Sequence, residues 1–208
     1  MVSETSRPMG RRERSKQRVR ESLYSSALSL FVEQGYDRTT IEQITDRADV
    51  SRATFFNYFQ RKDDLITAWS DQRRQQLEQF MKETMTSRDD DVTVLLERCV
   101  AALAEFNEKD RSTTATMLHA WVKAGRPLVE EQQAGQVFAA IIEAGRRRGD
   151  IAVDIDPLRV GNILRDSYLG VLYRWSQSPQ SSPSLHVELR EILRIILSGV
   201  RSYDTAAR

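Results

Sequence analysis

The chain has 208 residues, enough for one domain or two small ones with a substantial hydrophobic core. Its net charge of only +1 argues against a protein that is basic over its whole surface, yet residues 1–62 carry 12 Lys and Arg against 8 Asp and Glu. Cys99 is the only cysteine, so no intrachain disulfide framework is expected. Without a signal peptide or an apolar run near the about 20 residues of a membrane span, we expect a soluble, cytoplasmic protein with no membrane partner.

The N-terminal end combines a polar tail with a basic helix. Residues 1–12 are predicted to be a disordered tail, and a first helix is predicted over residues 13–34, ending at Gly35. Basic side chains crowd its start, at Arg11, Arg12, Arg14, Lys16, Arg18 and Arg20. They form either a solvated helix start or an arm that contacts DNA phosphates or the minor groove.

Two short helical patterns joined by a tight turn occupy residues 40–59. The first has an N-cap in Thr40, with Gln43 at capping-box spacing, and the second places Phe55 and Phe59 four residues apart on one face. The linker between the patterns is long enough only for a tight turn. This spacing is typical of a helix-turn-helix with a small shared core.

The outer surface of the second short helix is a mixed set of hydrogen-bond donors, small residues and aromatics. Such a surface is suited to a DNA major groove, where Arg52 can hydrogen-bond guanine and Asn57 adenine. Ser51 stands at capping distance from Thr54, and the backbone N–H groups of such a helix start attract phosphate. The surface consists of Ser51, Arg52, Ala53, Thr54, Phe56, Asn57 and Tyr58.

The rest of the chain also has a helical pattern. A fourth helix is predicted from about Lys62 to Met85, and a polar interruption follows at residues 86–91. Further helices are predicted over residues 92–108, 113–123, 129–148, 156–175 and 185–203. The predicted fold is therefore all-α, with about nine helices in a three-helix helix-turn-helix domain, residues 13–62, and a larger helical domain, residues 63–208.

The last predicted helix has more apolar surface than packing within one domain requires. Besides its main apolar stripe, it carries Val187, Ile195 and Leu197 on other parts of its surface. We therefore predict that the last two helices form a dimer face, with a fully intramolecular core as the alternative. The residues assigned to this face are Tyr168, Leu172, Leu189, Ile192, Leu193, Ile196 and Val200.

The run from Leu30 to Leu65 closely resembles the N-terminal domain of the TetR family of bacterial transcriptional regulators. The matching positions include Phe31 to Gly35, Thr39-Thr40, Ile44, Ala48, Val50-Ser51, Thr54-Phe55, Tyr58-Phe59 and Lys62. The remaining chain is similar to the family in length and helical pattern. The resemblance implies a DNA-binding domain, a ligand-binding and dimerisation domain, and a homodimer that acts on a palindromic operator in double-stranded DNA.

The resemblance also implies which residues contact DNA. Thr40, Tyr58 and Lys62 would contact phosphate, and the outer face of the second short helix would enter the groove. Phe56 departs from a common tyrosine, and Asn57 stands where an aromatic is frequent, which leaves the base preferences open. The full DNA-binding set is Thr39, Thr40, Ser51, Arg52, Ala53, Thr54, Phe56, Asn57, Tyr58 and Lys62.

In the family mechanism, a small molecule bound in the C-terminal domain changes the separation of the two reading helices. Half-sites about one turn of DNA, roughly 34 Å, apart tolerate little such change. Aromatic and methionine side chains at helical spacing are either plain core or the lining of a site for a small, largely apolar effector. The candidate lining residues are Trp69, Phe106, Met117, His119, Trp121, Phe138, Tyr168 and Trp175.

No pattern in the sequence supports catalysis. The histidines His119 and His186 do not stand with Cys99 at metal-ligand spacing, and a Gly-rich phosphate loop is lacking, so neither a metal nor a cofactor is expected. Cys99 falls on an apolar helix face, which favours buried packing over redox sensing.

The leading interpretation is a ligand-responsive repressor that binds DNA. The alternatives are an activator of the same family, a helical protein-interaction module that has lost DNA reading, and a small helical enzyme. The enzyme would require clustered acid, base or metal ligands. The interaction module would favour an acidic or uniformly apolar reading surface, which Arg52, Thr54 and Asn57 do not provide.

Overall fold

A computed structural model describes residues 10–84, 91–125, 133–152, 154–179 and 182–206, and this part contains helices and no strands. The all-α prediction is confirmed. None of the described helices has an apolar stretch long enough to cross a membrane. The helices are α1 (Arg11–Gln34), α2 (Ile41–Arg47), α3 (Arg52–Phe56), α4 (Asp63–Thr84), α5 (Val92–Glu108), α6 (Arg111–Lys123), α7 (Gln133–Arg148), α8 (Pro157–Gln177) and α9 (Leu185–Ala206).

Some of the predicted segment boundaries differ from the observed ones or lie outside the described residues. The tail predicted over residues 1–12 lies mostly outside the described residues, but α1 already begins at Arg11. The polar interruption predicted at 86–91 and the start of the helix predicted at 129 also lie almost wholly outside them.

The chain forms two compact units, Met1–Ala68 and Trp69–Arg208, so the first unit includes the beginning of α4.

Side-chain caps determine where several helices begin. At α2, the Gln43 N–H donates to Thr40 Oγ1 (3.2 Å) and the Thr40 N–H donates to Gln43 Oε1 (2.9 Å), which confirms the capping box. Asp156 caps α8 ahead of its first-turn proline, as predicted. Asp110 accepts from the Thr113 N–H (3.0 Å), and this cap starts α6 two residues before the predicted position.

The core of the first unit gathers apolar residues from all four helices that enter it. Phe55 and Phe59, predicted as core, are both buried, with ring centroids 5.7 Å apart. This contact buries the inner face of the α3 segment and leaves its outer face to solvent. The buried apolar residues of this unit are Leu23, Ala27, Leu30, Phe31, Ile44, Phe55, Phe59, Leu65 and Ile66.

In the second unit, α7 and α8 make the most extensive helix-helix contact. Glycines permit their close approach: a Cβ added to Gly161 would lie 2.3 Å from the Gly135 carbonyl oxygen and 2.8 Å from the Ala139 nitrogen. Backbone atoms cannot move aside as a flexible side chain can. The crossing therefore excludes even the smallest side chain at Gly161.

The structure corrects part of the predicted dimer face. Leu172, Leu189 and Leu193 are buried within their own unit, because α9 packs against both α5 and α8. Tyr168 is turned inward too, and its hydroxyl oxygen accepts a hydrogen bond from Asn107 Nδ2 (3.0 Å). Ile192 and Ile196 are half-buried, and the Val200 side chain lies outside the described residues. Among the side chains of α8 and α9 that the structure describes, the large apolar ones that are exposed are instead Leu158, Ile163, Val187 and Ile195.

We expect Gly161→Ala to lower the free energy of unfolding by about 1–3 kcal/mol, because the added methyl would overpack the α7–α8 crossing. Chemical denaturation monitored by circular dichroism measures this change. Gly170→Ala on the same helix is the matched control: its Cβ would meet only the end of the Arg174 side chain, at 3.4 Å. That variant should gain up to about 1 kcal/mol from helix propensity. Equal effects of both substitutions would contradict the role of the close crossing.

Candidate nucleic-acid interface

The turn between α2 and α3 has a defined hydrogen-bond pattern. The Asp49 N–H donates to the Asp46 carbonyl oxygen (3.2 Å) and the Val50 N–H donates to the Thr45 carbonyl oxygen (3.0 Å), which together make a Schellman motif. Asp49 occupies the left-handed position of this motif with φ +54°, where glycine is usual. The short turn expected from the sequence is thus formed, at the cost of backbone strain on a residue with a side chain.

α3 is short, and its start is fixed by a side-chain cap. It contains five residues, and Ser51 Oγ accepts from the Thr54 N–H (3.1 Å) while lying 2.9 Å from Thr54 Oγ1. Phe55 points into the core and is fully buried. The opposite side of the helix is consequently held at the surface.

The structure brings most of the predicted groove-facing residues together on that side. Arg52, Ala53 and Asn57 are exposed, and so is Phe56, at 44%. Thr54 and Tyr58 are half-buried. We call the outward side of residues 51–58 the reading surface.

The side chain of Arg52 is held from two sides on the reading surface. Its Nη1 atom lies 2.5 Å from Glu42 Oε1, and its guanidinium carbon lies 5.7 Å from the Phe56 ring centroid. The pKa of the Glu42 carboxyl is lowered by its own backbone N–H, and the Arg52 charge and the Thr40 hydroxyl add to this effect while partial desolvation opposes it. The carboxylate is therefore ionised at neutral pH.

Two of the predicted DNA contacts have structural roles. Thr39 is only 1% exposed, and its hydroxyl donates to the Gly35 carbonyl oxygen (2.9 Å), so its assignment to the DNA-contacting set is corrected. Lys62 is half-buried, and its Nζ donates to the carbonyl oxygens of Tyr36 (2.7 Å) and Thr39 (2.9 Å). The Tyr36 hydroxyl in turn donates to Asp63 Oδ1. These bonds tie the start of α4 to the α1–α2 link.

Thr40, in contrast with its neighbour, remains exposed at the first turn of α2. Its phosphate contact stays a prediction, as does that of Tyr58. The basic residues from Arg11 to Arg20 are exposed as well, but they lie on the first turns of α1 and do not form an extended arm. The guanidinium carbon of Arg20 lies 5.5 Å from the Phe59 ring centroid, which places a cation beside the core of this unit.

The predicted effector residues occupy different environments in the second unit. Trp69, Met117, Trp121, Phe138 and Trp175 are buried. Phe106 and Tyr168 are half-buried, whereas His119 is exposed and does not lie with the buried group. Lining of an effector site by these residues stays a prediction.

A polar cluster that the sequence did not suggest lies among three of these aromatics. Arg73 stacks over the Trp69 ring, with 4.7 Å from its guanidinium carbon to the centroid, and donates to the Phe106 carbonyl oxygen (3.1 Å) and to Asn107 Oδ1 (2.9 Å). Asn107 links it to Tyr168, and burial raises the pKa of that phenol. A signal was present, because Arg73 follows Trp69 at helical spacing on one face of α4.

The thiol of Cys99 lies in a buried environment that does not favour its reactive thiolate form. Cys99 is buried, and burial raises its pKa to about 12. The thiol is thus protonated at neutral pH and poorly nucleophilic. Packing is its role in α5, in agreement with its position on an apolar face.

Comparisons with known proteins cover nearly the whole chain. The sequence profile described as "Bacterial regulatory proteins, tetR family" matches residues 23–69, and the profile described as "TetR/AcrR family transcriptional repressors, C-terminal domain" matches residues 72–199. The repressor DhaR of Mycobacterium sp. (strain GP1) is 26% identical over 166 residues, 75% of this chain and 81% of that protein. The repressor KstR2 of Rhodococcus jostii (strain RHA1) is 24% identical over 193 residues, 88% of this chain and 91% of that protein.

Solved structures give the same picture of the fold. The crystal structure of the repressor FadR of Thermus thermophilus in complex with lauroyl-CoA has a TM-score of 0.69 and 27% identity, covering 86% of this chain and 94% of that one. SmeT, the repressor of a Stenotrophomonas maltophilia multidrug efflux pump, has a TM-score of 0.70 at 24% identity, covering 86% and 89%. These relatives are transcriptional regulators.

We expect Asp49→Gly to raise the free energy of unfolding by about 0.5–1 kcal/mol, because glycine adopts the left-handed conformation without a Cβ clash. Urea denaturation monitored by circular dichroism checks the change. Asp49→Ala is the control, since alanine keeps the Cβ and lacks the local hydrogen bonding by which aspartate tolerates this conformation. A glycine variant less stable than the alanine variant would contradict strain at this position.

Proposed function

Because the chain belongs to the TetR family of bacterial regulatory proteins, we propose that it is a repressor that binds a palindromic operator as a homodimer and leaves it when a small, largely apolar ligand binds. As a family member, the protein is a ligand-responsive, DNA-binding transcriptional regulator. The observation that carries the proposal is the reading surface, where Arg52 and Asn57 are exposed beside a capped, core-anchored helix. Since bacterial chromosomal DNA is cytoplasmic, the proposal places the protein there.

Repression is favoured over activation by the relatives. DhaR and KstR2 are both described as repressors, and the profile that matches residues 72–199 is one of repressors. A helical interaction module without DNA reading is disfavoured by the chemistry of the reading surface. Hydrogen-bond donors such as Arg52 and Asn57 match base edges, whereas a protein-binding face would be more uniformly apolar or acidic. No catalytic role is proposed.

A second copy of the chain is the proposed partner of the exposed apolar side chains on α8 and α9. Val187 and Ile195 are 59% and 55% exposed, and Ile163 on α8 is exposed as well. Covering these side chains would remove apolar surface from water, which is the main driving force for association. A two-fold pairing through the same face would also present two reading surfaces to an operator with two-fold symmetry.

The polar cluster around Arg73 supports an effector with an apolar body and one polar or anionic end. Arg73, Asn107 and Tyr168 form a hydrogen-bonded polar cluster within a helical unit whose other buried residues are almost all apolar, and an anionic group would exchange with partners that these donors already have. Guanidinium groups bind carboxylates and phosphates in well-defined geometry. The FadR relative was crystallised with lauroyl-CoA, a ligand with both an apolar chain and anionic groups. A fatty acid or an acyl thioester is therefore the effector class proposed here.

We expect selection from a random DNA pool to recover an inverted repeat whose half-sites lie about one helical turn apart. Binding should weaken steeply with salt, because phosphate contacts release counterions. Long-chain fatty acids or their coenzyme A thioesters should lower operator affinity about tenfold or more, within the usual range of allosteric coupling. Fluorescence anisotropy with labelled operator measures both effects.

Free coenzyme A and a short-chain acid serve as controls in this experiment, since they lack the long apolar chain. A protein without sequence-specific, salt-sensitive binding would contradict DNA reading. Binding that none of the long-chain compounds weakens would contradict the effector class alone. Tighter binding in their presence would contradict release by the ligand.

We expect the double substitution Ile163→Glu with Ile195→Glu to convert the dimer to a monomer, because burial of two carboxylates per chain at the interface carries a large desolvation cost. Sedimentation velocity measures the state, and operator affinity should fall roughly 100-fold as the second half-site is lost. Val122→Glu on α6 is the control, since Val122 is 39% exposed on another helix. A double variant that still sediments as a dimer would place the interface elsewhere.

A further inference from the structure

An acidic residue that adjoins the reading surface, Glu42, has no part in the proposed function. Glu42 stands in the first turn of α2, and it forms an ion pair with Arg52, the first residue of α3. The two residues lie on different helices of the helix-turn-helix, so the pair spans the angle between them. Both side chains are more than half exposed, with 53% for Glu42 and 62% for Arg52. The pair is therefore accessible to a nucleic acid that approaches this face.

The Arg52 guanidinium is confined by more than the ion pair. Phe56 lies below it, and the Phe56 ring packs edge-on against Phe55, with centroids 5.6 Å apart and an interplanar angle of 86°. Phe55 is fully buried and cannot shift without disturbing the core. The Arg52 guanidinium is thus restrained by Glu42 on one side and by Phe56 on the other, and Phe56 packs on the core of the unit.

This arrangement restricts the direction in which Arg52 can donate. A guanidinium presents its N–H groups in a planar fork, and one contact with a carboxylate leaves other N–H groups able to donate to the O6 and N7 atoms of guanine. A free arginine side chain samples many rotamers and also binds phosphate readily. An arginine held by Glu42 and Phe56 has lost much of that rotamer freedom before DNA binds. Its side chain therefore cannot reorient to hydrogen-bond a different base at that position.

The carboxylate has a second effect that is independent of direction. Its negative charge offsets the Arg52 charge at the surface that approaches DNA and repels nearby phosphates. Binding to DNA of any sequence depends chiefly on such phosphate electrostatics, whereas recognition of one sequence depends on base contacts. A negative charge at this position weakens the phosphate attraction that binds DNA of any sequence and leaves the base contacts unchanged.

We propose that Glu42 is a specificity-determining residue of the reading surface, which positions Arg52 for one base and suppresses binding to unrelated DNA. This inference rests on the proposed function, because it presumes that the reading surface contacts an operator. Glu42 acts through Arg52 and is a positioning residue. Its effect on base discrimination should therefore vanish when Arg52 is absent, which a purely structural role would not predict.

The test compares Glu42→Gln with a matched control, Glu33→Gln. Glu33 also forms an ion pair between two helices of the same unit: Arg47 Nη1 and Nη2 donate to its two carboxylate oxygens at 2.6 and 2.7 Å. Each substitution removes one negative charge and one exposed ion pair, but only Glu42 adjoins the reading surface. Glu42→Asp is added because it keeps the charge and shortens the reach of the carboxylate.

The measurement is fluorescence anisotropy with three duplexes: the selected operator, the operator changed at one base pair, and an unrelated sequence. The changed base pair is the position whose preference Arg52→Ala abolishes. Glu42→Gln should raise affinity for unrelated DNA about threefold or more and lower the discrimination at that base pair about fivefold or more, within the range of a single base contact. Glu33→Gln should leave the discrimination within about twofold. The double variant Glu42→Gln with Arg52→Ala should discriminate no better and no worse than Arg52→Ala alone.

Failure of the inference is distinguishable from failure of the proposed function. If the wild-type protein shows no sequence-specific binding, the proposed function fails and the inference falls with it. If the wild-type protein binds its operator but Glu42→Gln keeps full discrimination, only the inference is overturned. Equal losses in Glu42→Gln and Glu33→Gln would overturn it as well, since they would indicate a general effect of charge. Glu42→Asp keeps the charge, so its binding to unrelated DNA should stay as weak as that of the wild-type protein. Loss of discrimination in Glu42→Asp as well as in Glu42→Gln would show that positioning depends on the reach of the carboxylate, and retained discrimination in Glu42→Asp would show that the ion pair alone positions Arg52.

Discussion

The burial of Phe55 is the interaction on which the reading surface depends. A helix of five residues is too short to be stable by itself, because the cost of nucleation is not recovered over so few hydrogen bonds. The fully buried Phe55 ring supplies the missing stability from the core, and the Ser51 cap fixes the first turn. The side chains on the opposite face, Arg52 and Asn57 among them, are thereby held in place by packing that lies behind them.

The link between α1 and α2 shows a second way in which the helix-turn-helix is held. The short link leaves backbone carbonyl groups outside any helix, and of these the Tyr36 carbonyl oxygen accepts from the Thr39 N–H at 3.3 Å. Lys62 donates to two of them, at Tyr36 and Thr39, and its ammonium lies 4.2 Å from the Tyr36 ring centroid. The start of α4 is fastened to the other end of the unit as a result. Lys62, for which the family resemblance implies a DNA phosphate contact, therefore also has a structural role in the α1–α2 link.

Local features of this chain could be predicted from the sequence, while choices between neighbouring faces could not. The Thr40 cap and the burial of Phe55 follow from spacing alone, and both are present. Thr39 and Thr40 have the same side chain, and only the path of the backbone determines that the Thr39 side chain is buried while that of Thr40 is exposed. The last helix carries apolar residues on two faces, and composition does not reveal that Leu189 meets its own unit while Val187 meets solvent. The Arg73 cluster depends on α4, α5, α6 and α8 coming together, and helical spacing on α4 indicates only the part of it formed by Trp69 and Arg73.

The distribution of charge in the first unit separates affinity from specificity within the proposed function. Exposed cations from Arg11 to Arg20 lie on α1, outside the reading surface, and would bind phosphates of any sequence. On the reading surface itself, Glu42 offsets Arg52. Under the proposed function, affinity would arise largely from a helix that reads no bases, and discrimination would arise from a surface with little net charge. Because the first contribution weakens with salt far more than the second, sequence preference should persist at ionic strengths that already reduce total binding.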